Sequence, residues 1–439
     1  MGSILVLYHA PHAPLRRSVA DHLYSIRRYS GRPCIYINLA IRSVPAWIDR
    51  LDIDLVVLHT ILLATRWQPE VLHDAVRRMA PVHRLRCPRI AIPQDEFLNT
   101  DLLVDVLREF NVSRIYTCAA EEDWRTIYGP LLDEGVGIRR VLTGYLDPAT
   151  VDRIEALSLR KPAREIDIGY RAWRPEPWLG RHGMLKAWIA EAAVAEGSRR
   201  GLRLDISLAA EDTLLGDAWY NFLLRSRWTI GVEGGASLLD RDGGIRHRVD
   251  AYLGSHPGAS FDEVEAACFP GLDGGLHLRA ISPRHFEACA TRTPQVLVEG
   301  AYNGILTAGR HFVPLRADLG NISEILDEVA QGHDGREMAE QAYQDVVASG
   351  RYGYDAFVRE LLAPLPRLPD AGSRSTRRQG VMIRGLKAWE HAADAPSWSV
   401  VRLRQRARPI ARETLRRTGL LRYANAARSV VRRRRDAGL

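Results

Sequence analysis

Apolar runs of four or five residues recur through the first third of the chain, each followed by a segment whose apolar residues return every three or four positions. The runs fall at 4–8, 34–38, 55–58, 89–92 and 114–117, and the helical segments at 16–29, 45–51, 69–79, 102–110 and 121–132. Unbroken apolar strands joined by helical crossovers predict a parallel sheet covered on both faces. After a helix and linker over 149–165, a second series follows. Its strands are expected at 166–170, 204–207, 228–232, 276–278, 295–298 and 311–315, and its helices at 182–196, 219–225, 261–268, 323–331 and 335–349. The fold class is therefore α/β, with two Rossmann-like domains, 1–150 and 165–362, facing a cleft.

The pattern changes beyond 362. A Pro/Ser/Arg-rich linker leads into a helical tail, 370–439, whose segments 398–407, 409–418 and 420–435 are basic and amphipathic. Residues 366–439 carry 19 Lys and Arg against 5 Asp and Glu, so the net charge of +8 conceals a mildly acidic body and a strongly basic tail. An anionic partner is expected for the tail, and a membrane surface meeting 398–435 suits its Trp398, Leu415, Leu420, Leu421 and Tyr423. The acidic body argues against nucleic acid. No run reaches the ~20 uninterrupted apolar residues of a membrane helix. The five cysteines (Cys34, Cys87, Cys118, Cys268, Cys289) are scattered without a Cys-x-x-Cys pair. A cytoplasmic protein, peripheral on the inner membrane face, is the expectation.

Ligands of parallel sheets lie beyond the carboxyl ends of the strands, so the polar residues found there are the candidates for chemistry. Tyr8-His-Ala-Pro-His-Ala-Pro stands where a dinucleotide enzyme carries its glycines, which argues against a nicotinamide or flavin cofactor. In the first domain the candidates are His9 and His12, His59, and Asp95-Glu96, with Arg66-Trp67 on the loop beyond His59. Asp95 or Glu96 is the first choice for a general base, followed by His9 and then His59. Each also has a structural reading, since an Asp after a strand often caps the next helix and lone histidines often belong to cores. The second domain offers Arg171, Lys186, Glu233-Gly234-Gly235, Arg284, Glu287, Glu299 and Asn303. Glycines there permit close backbone approach to a phosphate or form a plain turn, and Lys186 reads equally as a solvated helix residue. Asp240-Arg241-Asp242 matches a metal-binding Asp-x-Asp, but the following Gly243-Gly244 favours an acidic turn, and no metal or other cofactor is expected to be required.

Phe286-Glu-Ala-Cys-Ala and Thr293-Pro-Gln-Val resemble the Glu-Ala-x-Ala-x-Gly-x-Pro-Val segment of GT-B glycosyltransferases. Over 166–350, Ile166-Asp-Ile-Gly-Tyr-Arg, Trp228-Thr-Ile-Gly-Val-Glu-Gly-Gly-Ala-Ser, Ser282-Pro-Arg-His-Phe-Glu-Ala and 306–325 look like the donor domain of CgeB-like or group-1 glycosyltransferases. The resemblance implies a GT-B fold, a nucleotide-sugar donor whose ribose is held by Glu287, and Arg171 and Lys186 against its diphosphate. It departs from the family where many retaining members carry Glu-x7-Glu, because position 279 is Arg279. Retention or inversion is therefore open. The implied activity is hexosyltransferase-like, moving a sugar to a glycan or lipid-linked acceptor in surface polysaccharide synthesis. The alternatives are an inactive sugar-binding scaffold and a nucleotide-sugar epimerase on the same fold.

Overall fold

The computed structural model describes residues 2–11 and 15–363; His12 and the tail 370–439 lie outside them. The first sheet comprises β1 (Ser3–Tyr8), β2 (Cys34–Asn38), β3 (Ile53–Leu58), β4 (Arg89–Ala91), β5 (Arg114–Thr117) and β6 (Gly137–Arg140). All six strands are parallel, in the order β2-β1-β3-β4-β5-β6. Successive residues of β1 serve opposite faces. Leu5 and Leu7 join the core of Val56, Leu58 and Phe110, whereas Ile4, Val6 and Tyr8 join that of Leu55, Val57 and Tyr36. Burial on both faces explains why these strands read as unbroken apolar runs.

After the helix Pro148–Ser158 come β7 (Ile166–Arg171), β8 (Leu204–Ser207), β9 (Ser226–Gly231), β10 (Gly234–Ala236), β11 (Leu278–Ala280), β12 (Gln295–Val298) and β13 (Val313–Leu315). Five of these form a parallel sheet, β13-β12-β9-β7-β8, while β10 and β11 pair antiparallel. In both large sheets the second strand lies on one side of the first and the third on the other. Chain order thus reverses between β1 and β3 and again between β7 and β9. A crevice opens beyond the strand ends at such a reversal. The fold is two Rossmann-like α/β domains facing a cleft.

Sequence and structure part where burial is one-sided or the backbone decides. β6 is an edge strand with mostly exposed residues and no apolar run, and β10 is nearly all glycine. The helix expected over 45–51 is a single turn, Ile48–Arg50, in which only Ile48 is buried. The strand expected at 276–278 begins at its last residue, Leu278.

Two segments of the second half pack on the first domain. Between β10 and β11 the chain leaves its own sheet. Its helices Gly244–Ser255 and Phe261–Cys268 bury Ile245, Val249, Phe261 and Val264 with Phe97, Leu98 and Ile127. The Asn99 N–H donates to the Asp240 carbonyl and the Asp240 N–H to the Phe97 carbonyl, each at 2.8 Å. The Asp240 carboxylate accepts from the backbone N–H groups of Gly243, Ile245 and Arg246 at 3.0, 3.2 and 2.8 Å, and Asp242 accepts from Gly244 at 2.8 Å. The Asp-x-Asp therefore caps a helix. The last described helix, Tyr354–Leu362, buries Tyr354, Phe357 and Leu361 in the core that also holds Leu23 and Ile26 of helix Arg17–Tyr29. Where this segment and the first interdomain linker cross, they bond to one another, Leu146 N–H to the Tyr352 carbonyl (2.8 Å) and Tyr354 N–H to the Leu146 carbonyl (3.1 Å).

Candidate active site

Two cavities between the domains, of about 310 and 250 Å³, share a wall formed by Ser18, Ser282 and Pro283. The larger is built from two helix starts. On the second domain, Pro283–Ala290 carries Pro283 in its first turn, where proline's missing N–H costs nothing, and the Ser282 hydroxyl and His285 ring close a reciprocal cap. That helix carries both Arg284 and Glu287 into the cavity. Opposite, helix Arg17–Tyr29 begins with Arg16, Arg17 and Ser18 on the cavity wall; among the described residues no side chain caps it, its first turn holds no acid, and Arg17 pairs with Asp21 at 2.9 Å. The N–H groups of the helix start and the Arg16 guanidinium make this wall attractive to an anion.

Glu287 is partly buried and accepts a 2.8 Å hydrogen bond from the Trp219 indole. Burial pushes its carboxyl up to about 7, against the Trp219 bond and the neighbouring Arg284 charge. Arg284 donates to the Arg171 carbonyl at 2.7 Å and lies beside the rings of Tyr170 and Trp219. Arg171 lines the same cavity, but its guanidinium bonds Asp205 (2.5 Å) and lies over Phe222.

The smaller cavity adjoins the larger along the cleft. Asp95, after β4, and Lys186, on helix Gly180–Arg199, line it from opposite domains with Gln94, Cys118 and Thr143. Asp95 is accessible along the cleft but crowded by both domain walls, which raises its carboxyl against the charges of Arg66 and Lys186. Burial lowers the Lys186 ammonium, which Asp95 opposes and Arg284 reinforces. Burial thus disfavours the charged form of each group, while the attraction between the two charges opposes it.

His59 and His22 both line this cavity. The His59 Nδ1 accepts from the Ile61 N–H (3.3 Å) and its Nε2 lies 2.8 Å from Nδ1 of His22. The first bond places the His59 proton on Nε2, which donates to His22; the His22 proton then sits on Nε2, which has no hydrogen-bond partner among the described residues. Burial lowers His22 to about 4 and, with the His22 charge, pushes His59 well below its usual range, so both rings are neutral.

Several candidates stand apart. Glu96 is fully buried, accepting from Thr117 and, at 2.9 Å, from Tyr128, and it does not line either cavity. Arg66, also fully buried, spends its guanidinium on the carbonyls of Leu63, Gln94, Asp95 and Leu98, which fixes the Asp95 loop. Glu233 accepts from the Tyr302 N–H at 2.7 Å beneath the cleft, and Asn303 accepts from the Ile281 N–H at 2.8 Å, holding the approach to Ser282. Gly234 and Gly235 line the smaller cavity as part of the β10–β11 ribbon rather than as a phosphate loop. Glu299 is exposed after β12, and neither it nor the half-buried His9, after β1, is among the lining residues.

No protein-family model matches the chain, and no curated protein matches it in sequence. Among solved structures it is similar to HepE of Anabaena in complex with UDP, with TM-score 0.42 and 10% identity over 82% of this chain and 98% of that one. It is also similar to sucrose-phosphate synthase from Thermosynechococcus elongatus (TM-score 0.43, 10% identity, 88% of this chain and 100% of that one). A third is AviGT4, a glycosyltransferase involved in avilamycin A biosynthesis (TM-score 0.41, 12% identity, 82% of this chain and 96% of that one).

Sequence reasoning missed Arg16, Arg17, Ser18 and His22, although the helix after the first strand of a doubly wound sheet is where an anion is received. It also missed Trp173 and Trp219. The Trp173 indole bonds Thr213 at 2.8 Å and its ring lies under Arg16 of the other domain, 4.6 Å from the guanidinium carbon to the ring centroid. No sequence spacing announces a contact between residues so far apart in the chain. Among the described residues there is no group of three or more His, Cys, Asp or Glu side chains placed to hold a metal ion, and no helix long and apolar enough to cross a membrane.

Proposed function

We propose that the cleft binds a nucleoside diphosphate-sugar and transfers its glycosyl group to a hydroxyl of an acceptor. The observation that carries this reading is the pairing of Glu287 and Arg284 on one helix turn, directed into a cavity whose far wall is the uncapped, arginine-bearing start of helix Arg17–Tyr29. A ribose offers two adjacent hydroxyl donors, which an ionised carboxylate accepts together. A diphosphate needs cations and free N–H groups, which Arg284, Arg16 and the helix start supply.

With the nucleotide in the larger cavity, the sugar extends past Ser282 and Pro283 toward Asp95 and Lys186. The acceptor oxygen forms the new bond to the anomeric carbon while the bond from that carbon to the diphosphate oxygen breaks and its electron pair leaves with the phosphate. Asp95 takes the acceptor proton, and the arginine-lined wall stabilises the departing charge. The raised carboxyl of Asp95 brings it nearer the range of an effective base at neutral pH. A glycan or lipid-linked acceptor in surface polysaccharide synthesis is consistent with the basic sequence of the tail.

The test is a thermal-shift screen over nucleoside diphosphates and their sugars, since a ligand of the native state alone raises the unfolding temperature. A shift that disappears in Glu287→Ala supports the reading. An undiminished shift in that variant removes it, and hydrolysis or epimerisation without acceptor replaces transfer by another reaction in the same cleft.

A further inference from the structure

At the amino ends of β7, β9 and β12, the opposite edge of the second sheet from the cleft, lies a cavity of about 350 Å³ lined by Arg164, Arg227, Arg292, Arg336, Asp334 and Glu340. Four guanidinium groups against two carboxylates leave its lining cationic. We propose that this cavity is a second binding site, for a phosphoryl dianion.

Arg164 forms the back of the site. Its guanidinium donates to the carbonyls of Ser226, Thr291 and Arg292 and to the Thr293 hydroxyl, all neutral acceptors, and it has no carboxylate partner among the described residues. A partly buried guanidinium without a counter-charge is costly, and an anion in the cavity supplies one. The other three arginines each have a carboxylate partner, Glu340 for Arg292, Asp334 for Arg336 and Asp167 for Arg227, so Arg164 carries the uncompensated charge of the lining. Arg292 reaches Glu340 through Nε at 2.7 Å and stacks 3.4 Å over the Tyr343 ring; Arg336 reaches Asp334 through Nε at 2.8 Å. In each pair the close contact to the carboxylate is made through Nε, whereas phosphoryl oxygens are recognised by the terminal fork. Arg227 bonds Asp167 (3.0 Å) and the His333 carbonyl, tying the lip of the site to the loop before Arg336. Burial and, after it, the Arg336 charge lower the Arg164 guanidinium.

The phosphoryl group belongs to free phosphate or to a small phosphate ester. The experiment is isothermal titration of the full chain with inorganic phosphate and with glycerol 3-phosphate, in chloride at matched ionic strength. Saturable binding of either probe is expected, phosphate alone identifying the free ion and the ester alone a phosphorylated metabolite. The Arg336 side chain is 86% exposed, so Arg336→Glu keeps the fold; it should weaken binding about tenfold or more, with Arg336→Lys intermediate because ammonium lacks the fork. Glu287→Ala, in the cleft, should leave it unchanged. Equal affinity in Arg336→Glu, loss in Glu287→Ala, or no binding beyond that of chloride overturns the proposal.

Discussion

The Trp219 indole N–H donates to Oε2 of Glu287 at 2.8 Å, which leaves Oε1 of this cavity-lining residue without a hydrogen-bond partner among the described residues. One oxygen is anchored and the other is free. The carboxylate is held in a fixed rotamer before any ligand arrives, so little side-chain entropy remains to be lost on binding.

The first prediction follows from its acidity. The carboxyl is raised from an ordinary 4.5 to about 7, so the folded chain holds this proton more tightly than the unfolded one. Its contribution to stability is greatest below about pH 4.5, where both states are protonated, and declines as pH rises to about 7. Glu287→Gln should remove that slope and raise the unfolding temperature most at pH 8. Nucleoside diphosphate binding should move the other way, strengthening between pH 6 and about pH 8 as the carboxylate ionises. Calorimetric titration with a nucleoside diphosphate and with inorganic pyrophosphate separates the terms, since only the ligand bearing ribose should show this dependence.

Asp95→Asn should lower turnover by about 10²- to 10⁴-fold, the usual contribution of a general base, while leaving the affinity for nucleoside diphosphate near that of the parent. Its carboxyl lines the smaller cavity, away from Arg284 and Glu287. Parallel loss of affinity would show that Asp95 shapes the donor site instead.

The fold was legible where its strands are buried on both faces: the runs at 34–38, 114–117 and 295–298 coincide with β2, β5 and β12, and 204–207 coincides with the half-buried edge strand β8. What stayed hidden is tertiary. Glu96 and Asp95 are neighbours in sequence, yet the left-handed backbone of Asp95 (φ 54°) sends one carboxylate to the cleft and the other to Tyr128. The contact of Asp240 with Phe97 and Asn99 joins segments far apart in sequence that share no pattern. Glu287 was visible because helix, Thr-Pro break and strand are all local, whereas its partner Trp219 belongs to a different helix.

The ribbon that borders the smaller cavity gives a contrast between adjacent glycines. Gly235 has φ +128°, and a Cβ there would lie 1.9 Å from the Leu278 carbonyl oxygen across β10 and β11. Gly235→Ala should cost more than about 3 kcal/mol in denaturant unfolding, combining strain with a backbone clash. At Gly234 the nearest atom to such a Cβ is the Ala280 carbonyl oxygen at 3.6 Å, ordinary contact. Gly234→Ala should stay within about 1 kcal/mol of the parent. Equal costs would mean that the ribbon shifts freely and does not fix the cleft wall.

Asp147 joins the domains at the first crossing. Its Oδ1 caps helix Pro148–Ser158 through the Ala149 N–H at 3.1 Å, while Oδ2 accepts from Arg28 of helix Arg17–Tyr29, which also bonds Asp21. Asp21 in turn accepts from the Thr150 hydroxyl at 3.0 Å, closing a network around the linker. The two roles separate by substitution. Asp147→Asn retains a capping oxygen and loses the charge, and because the Arg28 side chain is 35% exposed the loss should be modest, about 1 kcal/mol. Asp147→Ala removes the cap as well and should cost about 2 kcal/mol. Since this network borders the helix that presents Arg17 and Ser18 to the cleft, the Ala variant should also weaken nucleoside diphosphate binding, measured by titration at a temperature where both variants remain folded. Unchanged affinity in a measurably destabilised variant would confine Asp147 to stability and leave the position of that helix to the packing of Tyr354 and Phe357 alone.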